Sequence, residues 1–476
     1  MKIFYTFRFG TLSVAAACLL AATLASAADA AAAARKPNVV VIVADDLGYG
    51  EIVCRGKQEI PTPHIHSIAR AGVCFTNAYV SCPVCSPTRA GLITGRYQQR
   101  FGHEFNMGPA ARAGANVGLP LDQVTMADRM KKLGYATGMV GKWHLGYAPK
   151  FHPQQRGFDE FFGFLGGAHS YVDSNADAKN RILRGNKPVD EKEYLTDAFG
   201  REAVAFIDRH KSEPFFLYLP FNATHGPLEA TDQYLNRFSQ IGNPKRRTFA
   251  AMLSAMDDAI GDVLDKLRAE KLEENTLVFF IGDNGGPTQR ISSKNDPLRG
   301  FKGQMWEGGI RVPFMMQWVG RLPAGKIYHD PVIALDILPT SVAAAGGTVS
   351  EGVPIDGVDL LPYLRGEKAG RPHDALYWRF GQRWAIRKGD LKLLQAEQGG
   401  VQLFDLASDV GEQHDLAAEK PDAVARLKKD YQAWNAELKD PQWQRRGRPA
   451  GKAKAKARGK GKNKTKKKRK AKAAEL

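Results

Sequence analysis

Residues Asn38–Asp46 read NVVVIVADD. A continuous β-branched run of this kind marks a strand buried on both faces of a parallel sheet, where no polar alternation is required. The run ends in Asp45-Asp46 and continues as Leu47-Gly48-Tyr49-Gly50. Two further apolar runs follow the same plan. Thr276–Ile281 (TLVFFI) stops at Gly282-Asp283-Asn284-Gly285-Gly286, and Pro214–Leu219 (PFFLYL) leads to Phe221-Asn222-Ala223-Thr224-His225-Gly226-Pro227. Thr137–Val140, ending at Gly141-Lys142-Trp143-His144-Leu145-Gly146, and Val312–Trp318 read as additional strands. Pro61–Gly72 reads as a turn entering a helix, and helices are expected over Val124–Leu133, Arg201–His210 and Thr248–Leu272. The last carries Met252, Met256, Ile260, Val263 and Leu267 on one stripe, a pattern of packing. Strands alternating with helices, without an internal repeat, predict an α/β fold: a large, mostly parallel sheet sandwiched by helices.

The texture changes beyond about Arg371. Leu376–Phe380, Trp384–Arg387, Leu391–Leu394 and Gln402–Leu406 are short strands separated by turn residues, and Pro421–Leu438 is helical with Val424, Leu427, Tyr431 and Trp434 inward. This predicts a small C-terminal antiparallel sheet plus helix. The expected organisation is a signal peptide over 1–27, a large α/β domain over 28–370, a C-terminal α+β subdomain over 371–440 and a disordered basic tail over 441–476.

The signal peptide has Lys2 and Arg8 in its n-region, an apolar run from Gly10 to Leu24, and Ala25-Ser26-Ala27 as a small-residue cleavage site. The run is short for a membrane span, and Cys18 lacks a lipobox around it. The mature chain is therefore expected to be secreted or periplasmic, with no transmembrane segment after cleavage. The formal charge of +18 is concentrated at the end: residues 445–476 hold sixteen Lys or Arg against Glu475, a net +15, which leaves +3 for residues 1–444. The folded body is therefore nearly neutral and the basicity is a low-complexity tail, which reads either as a solvated extension without a partner or as a tether to a polyanion: sulfated polysaccharide, anionic envelope or nucleic acid.

Asp45, Asp46, Asp283 and Asn284 all sit where an apolar strand stops, which is where open parallel sheets gather their ligands. Any one such Asp is commonly a turn former. Together the four offer only oxygen donors, which favour Ca²⁺ or Mg²⁺ over zinc. The stretch Cys82–Arg96 reads CPVCSPTRAGLITGR. Pro87 disfavours helix at Ser86 and allows one to start soon after. Cys82-Pro83-Val84-Cys85 is also a C-x-x-C, yet no small βαβ domain opens on it as a redox dithiol would require. Cys54, Cys74, Cys82 and Cys85 are separated by nineteen, seven and two residues, not the two close pairs of a Cys₄ zinc site.

Cys85-Ser86-Pro87-Thr88-Arg89 followed by Leu92-Ile93-Thr94-Gly95-Arg96 resembles the signature of the type I, formylglycine-dependent sulfatases of the alkaline phosphatase superfamily, with Thr88 where Ser or Ala is more usual. The resemblance covers roughly residues 37–440, including Leu403-Phe404-Asp405-Leu406 in the small subdomain, and implies an alkaline-phosphatase-like fold. It implies oxidation of Cys85 to formylglycine by a formylglycine-generating enzyme. It also implies one Ca²⁺, with Mg²⁺ second, held by Asp45, Asp46, Asp283, Asn284 and modified Cys85. Arg89, Lys142 and Lys302 would hold the sulfate oxygens, the last within Gly300-Phe301-Lys302-Gly303-Gln304-Met305-Trp306-Glu307-Gly308-Gly309. A hydrated aldehyde at position 85 would attack sulfur. His225, or alternatively Lys302, would protonate the departing alcohol, and His144 would take a proton as sulfate leaves.

The implied activity is sulfuric ester hydrolysis on a sulfated carbohydrate or aryl sulfate. A phosphate or phosphonate ester hydrolase of the same superfamily is the alternative within enzymes, and a non-catalytic polyanion-binding protein the alternative outside them. His103, His169, Ser170 and Tyr171 lie in loops that could face a sugar, although ordinary loop roles fit them as well.

Overall fold

The computed structural model describes Met1 and residues 36–449, except 53, 55, 57, 350–352, 397–398 and 445–447. Apart from Met1, the expected signal peptide lies outside the described residues, as does the basic tail beyond residues 441–444 and 448–449. Among the described residues no helix is long and apolar enough to cross a membrane.

Asn38–Ala44 lies near the middle of a ten-stranded sheet. It is flanked in parallel by Phe215–Pro220 on one side and Thr276–Gly282 on the other. Successive side chains of a strand point to opposite faces. Val39, Val41 and Val43 enter one apolar core, while Val40, Ile42 and Ala44 enter the other. That double burial is the physical reason for the unbroken apolar run. Beyond Phe215–Pro220 the sheet adds Ala136–Lys142 and Glu160–Phe164 in parallel. Beyond Thr276–Gly282, Phe314–Gln317 runs antiparallel to both its neighbours, Thr276–Gly282 and Val73–Phe75.

The helices Leu195–His210 and Pro244–Ala269 cover one face, and Met252, Met256 and Ile260 are fully buried there as packing residues. The opposite face carries Cys85–Thr94, Met126–Lys132 and Ile337–Ala344. The helix at Cys85 starts earlier than expected. Cys85, Ser86 and Pro87 form its first turn, where a proline's missing N–H would have had no intrahelical partner in any case.

A four-stranded antiparallel sheet, Ala375–Phe380, Arg383–Lys388, Leu391–Gln395 and Val401–Asp405, packs on this second face with the helix Pro421–Ala436. The inward stripe of that helix is Ala423, Leu427, Tyr431 and Trp434, with Val424 only partly buried. The small sheet is tied to the large body by polar contacts as well as apolar ones. Trp378 Nε1 donates to the Val80 carbonyl at 2.7 Å. Lys392, fully buried, places its ammonium 2.9 Å from Glu307 Oε1 and 2.8 Å from Glu412 Oε1. Burial lifts the Glu412 carboxyl from its ordinary 4.5 to about 7, with the Lys392 charge opposing the rise and Glu307 adding to it.

A carboxyl raised in the folded state favours folding fully below about pH 4.5, and that contribution is lost as pH rises through 7. Glu412→Gln is therefore expected to flatten the fall in stability across this window, read as urea midpoints. An unchanged slope would remove Glu412 as its source. Cys54 and Cys74 form a disulfide, whereas Cys82 and Cys85 are buried free thiols. The C-x-x-C is not bridged, and the four cysteines are not gathered as a zinc site.

A candidate active site at the carboxyl edge of the sheet

The parallel register sets Ala44 beside Gly282, so Asp45-Asp46 and Asp283-Asn284 leave the sheet at the same edge. The Asp283 amide donates to the Ala44 carbonyl at 2.9 Å, and the Asp46 amide to Asp283 Oδ1 at 3.2 Å. Asp46 has a left-handed backbone, φ 61°, a conformation uncommon outside glycine and one that concentrates at functional sites. The Asp45 carbonyl accepts from the Thr224 amide at 2.7 Å, which ties in the loop carrying His225. Cys85 opens the helix Cys85–Thr94 with its N-terminal end toward this edge, and Lys142 closes the strand Ala136–Lys142.

These elements converge. One ligand atom from each of Asp45, Asp46, Cys85 and His225 lies within 4.8 Å of the others. Asp283 and Asn284 adjoin the group through Asp46, with Asn284 Nδ2 donating to Asp46 Oδ1 at 2.7 Å. Lys302 Nζ reaches Asp46 Oδ1 at 2.5 Å and Cys85 Sγ at 3.1 Å. Lys142 pairs with Asp45 Oδ2. Arg89 is fully buried, and its donors are engaged: Nε and Nη2 meet Asp283 Oδ2 at 3.0 and 2.8 Å, and Nη1 meets the Lys142 carbonyl at 2.9 Å. His225 donates from Nδ1 to the Gly226 carbonyl at 2.6 Å, which leaves Nε2 facing Asp46 Oδ2 at 3.7 Å. His144 is buried, with φ 57° and, among the described residues, no partner for Nδ1. Its ring lies so close to Gly167 that a Cβ there would come within 2.6 Å of Nε2.

Burial and charge compete over the titrations. Burial works to raise Asp46, but the Lys302 and His225 charges outweigh it and hold the carboxyl at about 2. Asp283 is pushed up to about 6 by burial and the Asp45 charge, against the pull of Arg89. Burial lifts the Cys85 thiol to about 12 and lowers His225 to about 4. It also lowers His144 well below its usual value, with Lys142 and Arg89 adding repulsion. The Lys302 ammonium stays charged because Asp46 and Cys85 outweigh its burial.

The site opens into a cavity of about 1800 Å³, whose walls include Asp46, His225 and Lys302 together with Phe105, Phe301 and Phe380. Phe380 comes from the small sheet. Sequence reading missed this aromatic rim, because a lone Phe beside a loop carries no local pattern. The loop candidates separate. His103 and Tyr171 are buried; His103 Nε2 bonds Ser86 Oγ at 2.7 Å, and Tyr171 donates to the carbonyls of Asn222 and His225. Both brace the site from behind. Ser86 in turn donates to the His144 carbonyl at 2.7 Å. His169 and Ser170 line a separate, shallower pocket.

The Sulfatase family model matches residues 37–347. N-acetylgalactosamine-6-sulfatase of Sus scrofa is 33% identical over 373 residues, covering 74% of this chain and 70% of its own length. Arylsulfatase J of Mus musculus is 35% identical over 330 residues, 67% of this chain and 54% of its own. The crystal structure of Ps i-CgsB in complex with k-i-k-neocarrahexaose superposes with a TM-score of 0.82 at 37% identity, covering 86% of this chain and 95% of that one. A match that spans both the sheet edge and the Cys85 helix covers the parts that make the site. This chain therefore belongs to the sulfatase family and is a sulfuric ester hydrolase.

Proposed function

We propose that this sulfatase removes sulfate from a sulfated carbohydrate, with Cys85 converted to formylglycine and one Ca²⁺ bound beside it. The observation that carries this reading is the buried meeting of thiol, carboxylate and ammonium, in which one Lys302 nitrogen contacts both Cys85 and Asp46. A cation suits the residues present. Among the described residues Asp45 Oδ1 and Asn284 Oδ1 are buried acceptors with no hydrogen-bond partner, an arrangement costing about 1–3 kcal/mol each unless a positive group satisfies it. Asp45, Asp46, Asp283, Asn284 and the residue at 85 would hold the ion. Hard oxygen donors favour Ca²⁺, with Mg²⁺ second.

Ca²⁺ and the hydrated aldehyde made from Cys85 would supply charge stabilisation and an oxygen nucleophile that a thiol does not. Lys142 and Lys302 bring fixed positive charge to the sulfate oxygens. Arg89, with its donors on Asp283 and the Lys142 carbonyl, positions that wall and adds its field. His225 gives a proton to the departing alcohol from Nε2, and a sulfate ester's negative charge nearby favours the imidazolium this needs. His144 accepts a proton as sulfate is released.

The relative named N-acetylgalactosamine-6-sulfatase and the similar structure in complex with k-i-k-neocarrahexaose support the carbohydrate reading. The signal-like residues 1–27 and the Cys54–Cys74 disulfide support export to an oxidising compartment, secreted or periplasmic, with a formylglycine-generating enzyme as partner. The units read as 28–370 and 371–440. The basic tail is proposed to contact polyanions: Gln442 and Trp443, at its start, bond Gly102 and the Phe105 carbonyl beside the cavity.

Chelation is expected to lower hydrolysis of 4-nitrophenyl sulfate at least about 100-fold, with Ca²⁺ restoring it. Sulfate esters should also be turned over faster than phosphate esters of the same phenol. Indifference to chelation would remove the metal, and preference for phosphate would remove the substrate class.

A further inference from the structure

The cavity above the site is larger than one sulfated ring requires. Its 1800 Å³ exceeds the roughly 300–1,000 Å³ that encloses a drug-sized ligand. Among the described residues Asp46 is its single acidic wall residue, and that carboxylate is already bonded by Lys302 and Asn284. Two arginines, Arg112 and Arg290, line the same space.

We propose that Arg112 and Arg290 form a second anion-binding subsite that reads an additional sulfate on the sugar chain, so the favoured substrate carries at least two sulfate groups. This deepens, and rests on, the carbohydrate sulfatase reading above. An exposed arginine is ordinarily just solvated, and three observations set these two apart. First, among the described residues neither side chain has a hydrogen bond or ion pair, whereas Arg246 is paired with Glu51 and Glu59, and Arg379 with Glu104. Second, both project from backbone that is held firmly. The Arg112 loop is pinned at its base by Asn106, which accepts from the Ser86 amide at 3.0 Å, and by Tyr147, which donates to the Gly108 carbonyl at 3.1 Å. Arg290 lies in the helical turn Thr288–Ile291, which follows the Asp283-Asn284 edge and anchors through buried Ile291.

Third, the wall is cationic where a desulfating enzyme's product is less charged than its substrate. An anionic group retained by the sugar after the scissile sulfate leaves would still find partners there. Guanidinium groups present planar donor forks that match a sulfate's oxygens in pairs. Phe301 and Phe105 add apolar faces between the two anion sites for a sugar ring. The protein would thereby place a multiply sulfated chain with one sulfate at Lys302 and another at the arginines.

The test uses hexasaccharides bearing one or two sulfates as competitive inhibitors of 4-nitrophenyl sulfate hydrolysis by the full, modified enzyme. Wild type should bind the two-sulfate chain at least about tenfold more tightly than the one-sulfate chain. The double variant Arg112→Ala with Arg290→Ala should lose that ratio, and each single variant part of it. Arg268→Ala, an exposed arginine on the far helix Pro244–Ala269, should keep it. An unchanged ratio in the double variant, or an equal loss of affinity for both chains, overturns the proposal. Should wild type fail to hydrolyse any sulfate ester, the catalytic reading falls by itself. Calorimetric titration of the same hexasaccharides then decides the subsite by the same ratio.

Discussion

Cys85→Ala is expected to lower kcat/KM for sulfate-ester hydrolysis by at least about 10⁴-fold while leaving the thermal midpoint within a few degrees. The side chain at 85 is buried among Asp46, Lys302 and His225, and no other nucleophile of the described residues shares that position. Alanine deletes one sulfur atom and leaves the frame. Thr88 still donates to the Cys82 carbonyl at 2.6 Å, and Asn106 still accepts from the Ser86 amide. Stability should therefore hardly change. What survives is the field of Lys142, Lys302 and Arg89, which would bind sulfate without turning it over. The companion measurement is the mass of the peptide spanning Cys85 from active enzyme, which should be lighter than the cysteine form by the difference between thiol and aldehyde. Full activity with an intact thiol would overturn the formylglycine reading.

Lys392→Met should be the most damaging change away from the cavity, costing about 3–5 kcal/mol. The ammonium sits fully buried between Glu307 and Glu412, so its removal strands negative charge in a dry interface. Glu307 cannot shed its charge cheaply. Burial favours its protonation, but with Lys392 gone Arg311 and Arg387 still oppose that, and Tyr79 donates to it at 2.6 Å. Activity should fall with stability, because Glu307 opens the turn that directly follows the Lys302 loop, and Arg383 of the small sheet bonds the Gly303 carbonyl in that loop. Urea denaturation measures the loss. Adding Glu412→Gln should recover part of it. A cost below about 1 kcal/mol for Lys392→Met would show that the network is not what joins the small sheet to the body.

Much of the architecture was legible in short stretches. NVVVIVA and TLVFFI read as doubly buried strands because every residue in them is apolar, and their neighbours at Asp45 and Asp283 were legible because strand ends carry the ligands of such sheets. The convergence of Asp45, Asp46, Cys85 and His225 followed from those positions. Glu160–Phe164 was not legible as a strand: glycine and glutamate dilute its five residues, and it forms by pairing with Ala136–Lys142. The antiparallel direction of Phe314–Gln317 was equally hidden, since direction depends on where the chain returns.

The sequence by itself determined the fold class and which strands end in acidic side chains, because apolar runs and strand-end carboxylates are local patterns; the reading of position 85 came from its resemblance to a family signature. Only the tertiary structure decided that Arg89 serves Asp283, that Cys54 joins Cys74, and that Lys392 bridges two buried acids. It also decided that Arg112 and Arg290 line one cavity. Each of these pairs residues distant in sequence or sets them around a shared space, and such partners are chosen by burial and charge once the sheet has assembled.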